Sequence, residues 1–259
     1  MPLFRIGNDL HYFAHVPKCG GASVEAYLAE RFGPLALLDT RHYDRIVRNR
    51  WSRSSPQHIP AATLARFFPR GWIASAFAVV RDPLDRLVSA YNHCVDPSYL
   101  LPPGLGIEEW FDEYLRLSRY NAALYDNHLR PQGEIVPEDA TWFRLEEGFA
   151  PVVAHIDRLA GDSAGPREIG HERHSAGAAG LARIRRRLPA AFVARVAEFY
   201  AADYARFGYA EKVNAEYELL LPAAAPTEAI RLSSRRENRS LVFRRLWRSY
   251  LRLTHRMIT

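Results

Sequence analysis

Near its start the chain carries "DLHYFAHV" (9–16), a run whose aromatic and β-branched content predicts a buried strand. Two adjacent glycines, Gly20 and Gly21, follow Pro17 and Lys18. "ASVEAYLAERFG" then spaces its apolar residues for a helix, with Gly33 placed to end it. "LALLD" (35–39) reads as a second short strand, and the arginine-rich stretch from Arg41 to Pro56 as loop or surface helix. "AATLARFF" (61–68) predicts a short helix closed by Pro69. The unbroken apolar run from Ile73 to Val80 suits a strand covered on both faces, and "PLDRLVSAYNHC" begins a helix with proline in its first turn.

Further on, "GIEEWFDEYLRLS" is amphipathic at helical period, "ATWFRLE" (140–146) is a strand, and "FAPVVAHIDRLAG" is a helix. The Gly/Ser/Ala-rich segment 162–180 reads as loop, and "PAAFVARVAEFYAADYARFGY" as one long helix ending at Gly208. Strands alternating with helices predict an α/β protein, a three-layer α/β/α arrangement with a central parallel sheet. The expected domain covers residues 1–209, with an extension over 210–259.

Composition refines this picture. With 48% hydrophobic residues the chain can bury a sizeable core. No apolar run approaches the roughly 20 residues of a membrane helix. The segment "MPLFRIGNDLHYF" lacks the basic start and continuous apolar core of a signal peptide. Cys19 and Cys94 make no disulfide framework and no metal-spacing motif, which fits a reducing cytoplasm. The net charge of +6 is concentrated at one end: from Arg231 onward there are nine arginines and one acid, so the first 230 residues carry about −2. A basic tail and not a basic face argues against a nucleic-acid binder. Of 35 basic residues only Lys18 and Lys212 are lysine, which singles out the lysine at the glycine turn.

A strand that enters a helix through glycines makes an anion site. The first helical N–H groups lack partners, the helix dipole is positive there, and glycine lets a ligand approach the backbone. Lys18 adds a compact charge and Ser23 a hydroxyl. The same turn also occurs with no ligand, and its order is neither G-x-x-x-x-G-K-[ST] nor G-x-G-x-x-G. A second constellation, "VVRDPLDRLVSAYNH", puts Arg81 at the end of a buried strand and Ser89 two turns into the next helix. Arginine offers phosphate a planar fork of donors and serine adds one more. The bland alternative is a local Arg81–Asp82 ion pair. In an open α/β sheet both loops would share the carboxyl edge, where such folds bind ligands. Two separated anion sites point to a ligand phosphorylated at two positions.

P-K-C-G-G-A-S at 17–23 with R-D-P-L-D-R-L-V-S-A-Y at 81–91 resembles the paired signatures of sulfotransferases that use 3′-phosphoadenosine 5′-phosphosulfate (PAPS), in particular the membrane-type and bacterial carbohydrate sulfotransferases. The resemblance covers residues 10 to 209 and implies a P-loop nucleotide-binding-like sulfotransferase fold. It implies that Lys18, Cys19, Gly20, Gly21, Ala22 and Ser23 cradle the 5′ end of the donor and that Arg81 and Ser89 grip the 3′-phosphate. Cys19 stands where many relatives have threonine. "SPQHIPAATLARFFP" resembles the family segment with a catalytic histidine, which makes His58 the expected base; histidine is the side chain suited to proton transfer near neutrality. "DNHLRPQ" (126–132) resembles a later segment, making His128 the rival base or an acceptor contact and Arg130 and Gln132 acceptor or sulfate contacts. No metal is implied. His171 and His174 read as solvated loop, and Glu146 as a structural carboxylate. The alternatives are a P-loop phosphotransferase or hydrolase, which would need magnesium, and a non-catalytic nucleotide- or membrane-binding module.

The tail sequence "SLVFRRLWRSYLRLTHRMIT" gathers Phe243, Leu246, Trp247, Tyr250, Thr254 and Met257 on one side of a helix spanning about 239–259. Arg244, Arg245, Arg248, Arg252 and Arg256 fall on the other. This pattern fits an anionic membrane surface, here the inner face, or a partner's groove, or the protein's own domain. If it is a membrane helix, the full chain floats with anionic liposomes and a chain truncated at Asn238 does not; equal flotation of the two removes that reading.

Overall fold

The computed structural model of the 259-residue chain describes residues 2–42, 50–69, 71–94, 105–170, 183–211 and 218–222. The basic tail helix and the His171/His174 loop lie outside the described residues. A four-stranded sheet has the order β1 (Leu3–Ile6), β2 (Asp9–Ala14), β3 (Ser75–Val80), β4 (Thr141–Arg144). β1 and β2 form an antiparallel hairpin through Gly7, whereas β2, β3 and β4 run parallel. The expected parallel sheet is therefore present with an antiparallel edge strand that the sequence reading did not assign.

Burial explains the strand choice. Phe13, Ala14, Phe77, Ala78, Val79 and Val80 are all at most 1% exposed, as unbroken apolar runs require when helices cover a sheet. Helix α1 (Gly21–Phe32) contributes Val24, Tyr27 and Leu28 to this core, α2 (Ala61–Phe67) contributes Leu64, and α6 (Ala150–Ala160) contributes Val152, Val153 and Ile156. Gly33 closes α1 at φ +86°, a backbone position that excludes most side chains. A second core is mainly helical. It joins α3 (Pro83–Cys94), α4 (Ile107–Leu117), α7 (Ala190–Phe199) and α8 (Ala201–Phe207) around Trp110, Phe111, Phe192 and Tyr200. A single turn of helix, α5 (Gln132–Ile135), adds Ile135 to the first core, and α8 reaches both, with Tyr204 in the second and Phe207 in the first.

Two expectations change. "LALLD" is no strand: Ala36 makes one antiparallel bridge to Leu3, and Leu37 adopts φ +58°, which ends the pairing. The long helix is two, broken at Tyr200 (φ −100°, ψ 19°), whose hydroxyl reaches the Leu129 carbonyl at 2.6 Å. Strand β5 (Arg183–Arg187) pairs antiparallel with β6 (Glu218–Pro222) in a separate two-stranded sheet.

The C-terminal part of the described fold is bound into the sheet. Arg206 donates to the carbonyls of Gly133, Val136 and Pro137, and Arg144 at the end of β4 donates to those of Phe207 and Gly208. Phe207 is fully buried, edge-on to Trp142 at 5.5 Å. Phe207→Ala is expected to cost about 3–5 kcal/mol of unfolding free energy, read in urea, with one transition at a lower midpoint. A separate early transition with the main one unmoved would show that α8 is not part of the same cooperative unit.

Candidate active site

The parallel register pairs Ala14 with Ala78, so the loops leaving β2 and β3 emerge side by side at one edge of the sheet. Residues 15–20 form the first. Lys18 (φ +69°) and Gly20 (φ +77°) both take left-handed backbone, which bends the chain sharply into α1. Neither glycine can be replaced without a collision. A Cβ on Gly20 would lie 2.7 Å from the Phe149 ring, and one on Gly21 would lie 2.1 Å from His15 Nε2. Helix α1 has no acid in its first turn and no side-chain cap, so no side chain of its own neutralises its positive end. Ser23 is buried in that first turn, Ala22 is half-buried, and Lys18 is half-buried at the mouth.

The second loop is held by a single side chain. The Gln132 amide accepts from the Arg81 N–H (2.9 Å) and donates to the Arg81 carbonyl (2.8 Å). Its oxygen also accepts from the Cys19 thiol at 3.4 Å. The Arg81 guanidinium in turn reaches the Lys18 carbonyl at 3.5 Å. Asp82 does not serve Arg81; its carboxylate caps α3 through the amides of Leu84 and Asp85, both at 3.0 Å. Glu146 accepts from the Asp82 N–H and from the Tyr209 hydroxyl, each at 2.8 Å, the structural role expected of it. Ser89 is half-buried on α3, and its hydroxyl has no hydrogen-bond partner among the described residues. Burial pushes the Cys19 thiol up to about 12, so it stays a protonated donor turned into the core.

His58 sits in a 3-10 turn (Pro56–His58) and faces a carboxylate 68 residues away: Nδ1 lies 2.8 Å from Asp126 Oδ2. Ser55 donates to Asp126 twice, from its N–H (2.6 Å) and its hydroxyl (2.7 Å). Asn127 Nδ2 donates to the His58 carbonyl at 2.8 Å. This contact needs an unusual backbone. Tyr125, Asp126 and Asn127 are consecutive left-handed residues (φ +52°, +55°, +62°), a conformation costing about 1–2 kcal/mol per ordinary residue. Burial opposes ionisation of Asp126, but His58, His128 and Ser55 outweigh it and hold the carboxyl well below its usual range. With Nδ1 on the carboxylate, the other ring nitrogen of His58 is the one left for proton transfer.

Four imidazoles form a row from the first loop to α3. Centroids are 4.7 Å apart for His15 and His58, 5.3 Å for His58 and His128, and 5.2 Å for His128 and His93. Burial, then the neighbouring His58, hold His128 well below the ordinary histidine value, and its Nδ1 lies 2.6 Å from the Tyr125 carbonyl. His58, Asp126 and His128 also bring one ligand atom each within 4.8 Å of one another, a set of two nitrogens and one oxygen that could hold a metal ion. Sequence spacing gave no sign of it.

The segment 126–132 is divided differently from its sequence reading. His128 lies beside His58, while Gln132 is fully buried on Arg81. Arg130 is spent locally, on the Asn127 side chain, the Ala122 carbonyl at 2.5 Å and Glu134. Sequence reasoning missed Asp126, Ser55 and the His15–Glu25 pair. Asp126 lay inside a quoted motif, but only folding reveals that it faces His58. Arg86, the helix neighbour of Ser89, is turned fully inward and donates to the carbonyls of His128 (2.9 Å) and Arg130 (2.6 Å).

A βα turn bearing Lys18, an arginine-bearing loop beside it and a histidine–carboxylate pair are thus brought together at one edge of the sheet. The family described as "Sulfotransferase family" matches residues 4–142, more than half of the chain, and the chain belongs to it. The protein is thus a sulfotransferase, an enzyme of sulfuryl transfer to an acceptor. No curated protein and no solved structure matches it. No helix among the described residues is long and apolar enough to cross a membrane.

Because the Asp126 carboxyl is depressed in the fold, its stabilisation is complete above the ordinary carboxylate range, about pH 4, and fades as pH falls below it. Asp126→Asn is expected to destabilise by roughly 1–3 kcal/mol at neutral pH. Its deficit against wild type should shrink in acid, read from urea unfolding at several pH values. A deficit constant down to pH about 2 would contradict the ionised contact.

Proposed function

We propose that the protein moves the sulfuryl group of PAPS to a hydroxyl of a carbohydrate or glycolipid acceptor, with His58 as base. The observation that carries the reading is the joining of two anion-suited loops side by side at one edge of the sheet, through the Arg81–Lys18 hydrogen bond and the Gln132 clamp, beside the His58–Asp126 pair. The residues present suit such a donor. The first-turn amides of α1 meet no competing acid, Lys18 flanks them, and the Ser89 hydroxyl lies on the helix that follows Arg81. The donor supplies an activated sulfuryl group and a leaving phosphate.

The chain's own contribution is positioning and charge. Amides from Gly20 to Ser23 hold the 5′ end, and Arg81 and Ser89 hold the 3′-phosphate. Lys18 meets the charge that develops on the oxygen between phosphate and sulfur as that bond breaks. His58 takes the acceptor proton, while ionised Asp126 keeps its ring oriented and supports the imidazolium. Asp126 cannot serve as the base itself, because its depressed carboxyl is too weak. Exposed Trp51 and Phe67, edge-to-face at 5.6 Å, flank the His58 turn in sequence and give a sugar ring an apolar platform.

Calorimetry without added metal tests the donor assignment. Adenosine 3′,5′-bisphosphate is expected to bind far more tightly than adenosine 5′-phosphate or ATP, and Arg81→Ala to abolish that preference. Equal affinities, or a requirement for magnesium, would favour a phosphotransferase instead. His58→Ala should keep bisphosphate binding and lose transfer of radiolabelled sulfate from PAPS to a glycan extract of the source cell. Lys18→Ala should lose transfer while keeping part of its product affinity.

A further inference from the structure

His15 immediately precedes the Pro17–Ser23 motif, and neither the family resemblance nor the reaction just described assigns it a role. It is buried, and its ring meets Glu25, Phe13, His58 and Gly21. Nδ1 lies 2.5 Å from Glu25 Oε1, one turn into α1. Phe13 stacks on the ring at 5.8 Å, and His58 meets it edge-to-face at 4.7 Å, with 86° between the planes. The Nε2 edge presses on Gly21, so closely that a Cβ there would stand 2.1 Å from Nε2, 2.2 Å from Cδ2 and 2.6 Å from Cε1. One imidazole thus fills the gap between the start of α1 and the ring of His58.

We propose that His15, tethered by Glu25, is a positioning residue that spaces the donor loop from the base His58. The inference rests on the assignment of His58 as base and of residues 20–23 as donor site. Backbone amides and an imidazole that act on opposite ends of one displacement must be held at a fixed separation, because an error of about 1 Å costs roughly a hundred-fold in rate. His15 supplies that separation as a rigid planar body. The Glu25 carboxylate fixes its rotation, and the absence of a side chain at position 21 lets it seat. Glycine at 21 therefore serves the histidine as well as the ligand. Glu25 remains a carboxylate, since His15 and its hydrogen bond outweigh the effect of burial.

His15→Asn is the informative variant, because its amide nitrogen can occupy the Nδ1 position and keep Glu25, while the half of the ring between Gly21 and His58 is lost. It is expected to fold, to bind adenosine 3′,5′-bisphosphate within about two-fold of wild type, and to lose kcat roughly ten- to a hundred-fold. The rate is read as transfer of radiolabelled sulfate from PAPS to a glycan extract of the source cell. An unchanged kcat, or equal losses in nucleotide affinity and turnover, overturns the spacer role. A thermal-unfolding cycle tests the seat without an acceptor. Gly21→Ala alone should lower the melting temperature, but cost little when added to His15→Ala, where the colliding ring is gone; additive costs overturn the proposal. His58→Ala, assayed alongside, separates the two readings. If it is fully active, the base assignment fails and the spacer role with it. If it is inactive while His15→Asn turns over normally, only the present inference fails.

Discussion

One buried amide joins the segments on which the site depends. Gln132 engages both polar atoms of the Arg81 peptide and the Cys19 thiol, so the loop after β2, the loop after β3 and the segment bearing His128 meet at one side chain. An amide in this position is favourable only because its partners are all present; buried and unpaired it would cost several kcal/mol. Asp203 of α8 anchors the same point from the other side, accepting from the Gln132 and Gly133 amides at 2.7 and 2.8 Å. Burial raises the Asp203 carboxyl despite the opposing pull of Arg86 and those amides, which marks how deep the junction lies. The helical core around Tyr200 therefore bears directly on the geometry of the loops after β2 and β3, and the stability of the fold and the shape of the site are one problem.

The electrostatics of this edge of the sheet follow from placement. Positive groups, Lys18, Arg81 and the start of α1, gather where the sheet strands end, and no acid of α1 stands in its first turn. The carboxylates near the histidines are set behind the rings, Asp126 on His58 and Glu25 on His15, each on Nδ1. Each ring is thereby oriented by a carboxylate on its Nδ1 side.

Much of this was legible in the chain. β2, α1, β3, α3 and β4 lie where apolar runs, glycine turns and Pro83 placed them, because each signal is local. The Gly20–Gly21 turn and the loop bearing Arg81 were legible for the same reason. What escaped was long-range. Asp126 reaches His58 only through three left-handed residues, two of them, Asp126 and Asn127, among the few types that tolerate that backbone. Gln132 reads as an acceptor contact in sequence, yet folding turns it to Arg81. The break at Tyr200 was hidden by unbroken helical periodicity, since the hydroxyl that finds Leu129 carries no sequence signature. Leu35 to Asp39 failed as a strand because apolar content does not reveal the reversal at Leu37.

A crystal structure of the protein with adenosine 3′,5′-bisphosphate tests the central claim most directly. The account predicts the 5′-phosphate on the amides of Gly20 to Ser23 beside Lys18, and the 3′-phosphate on Arg81 and Ser89. A nucleotide bound elsewhere, or one touching only one of the two loops, would contradict it.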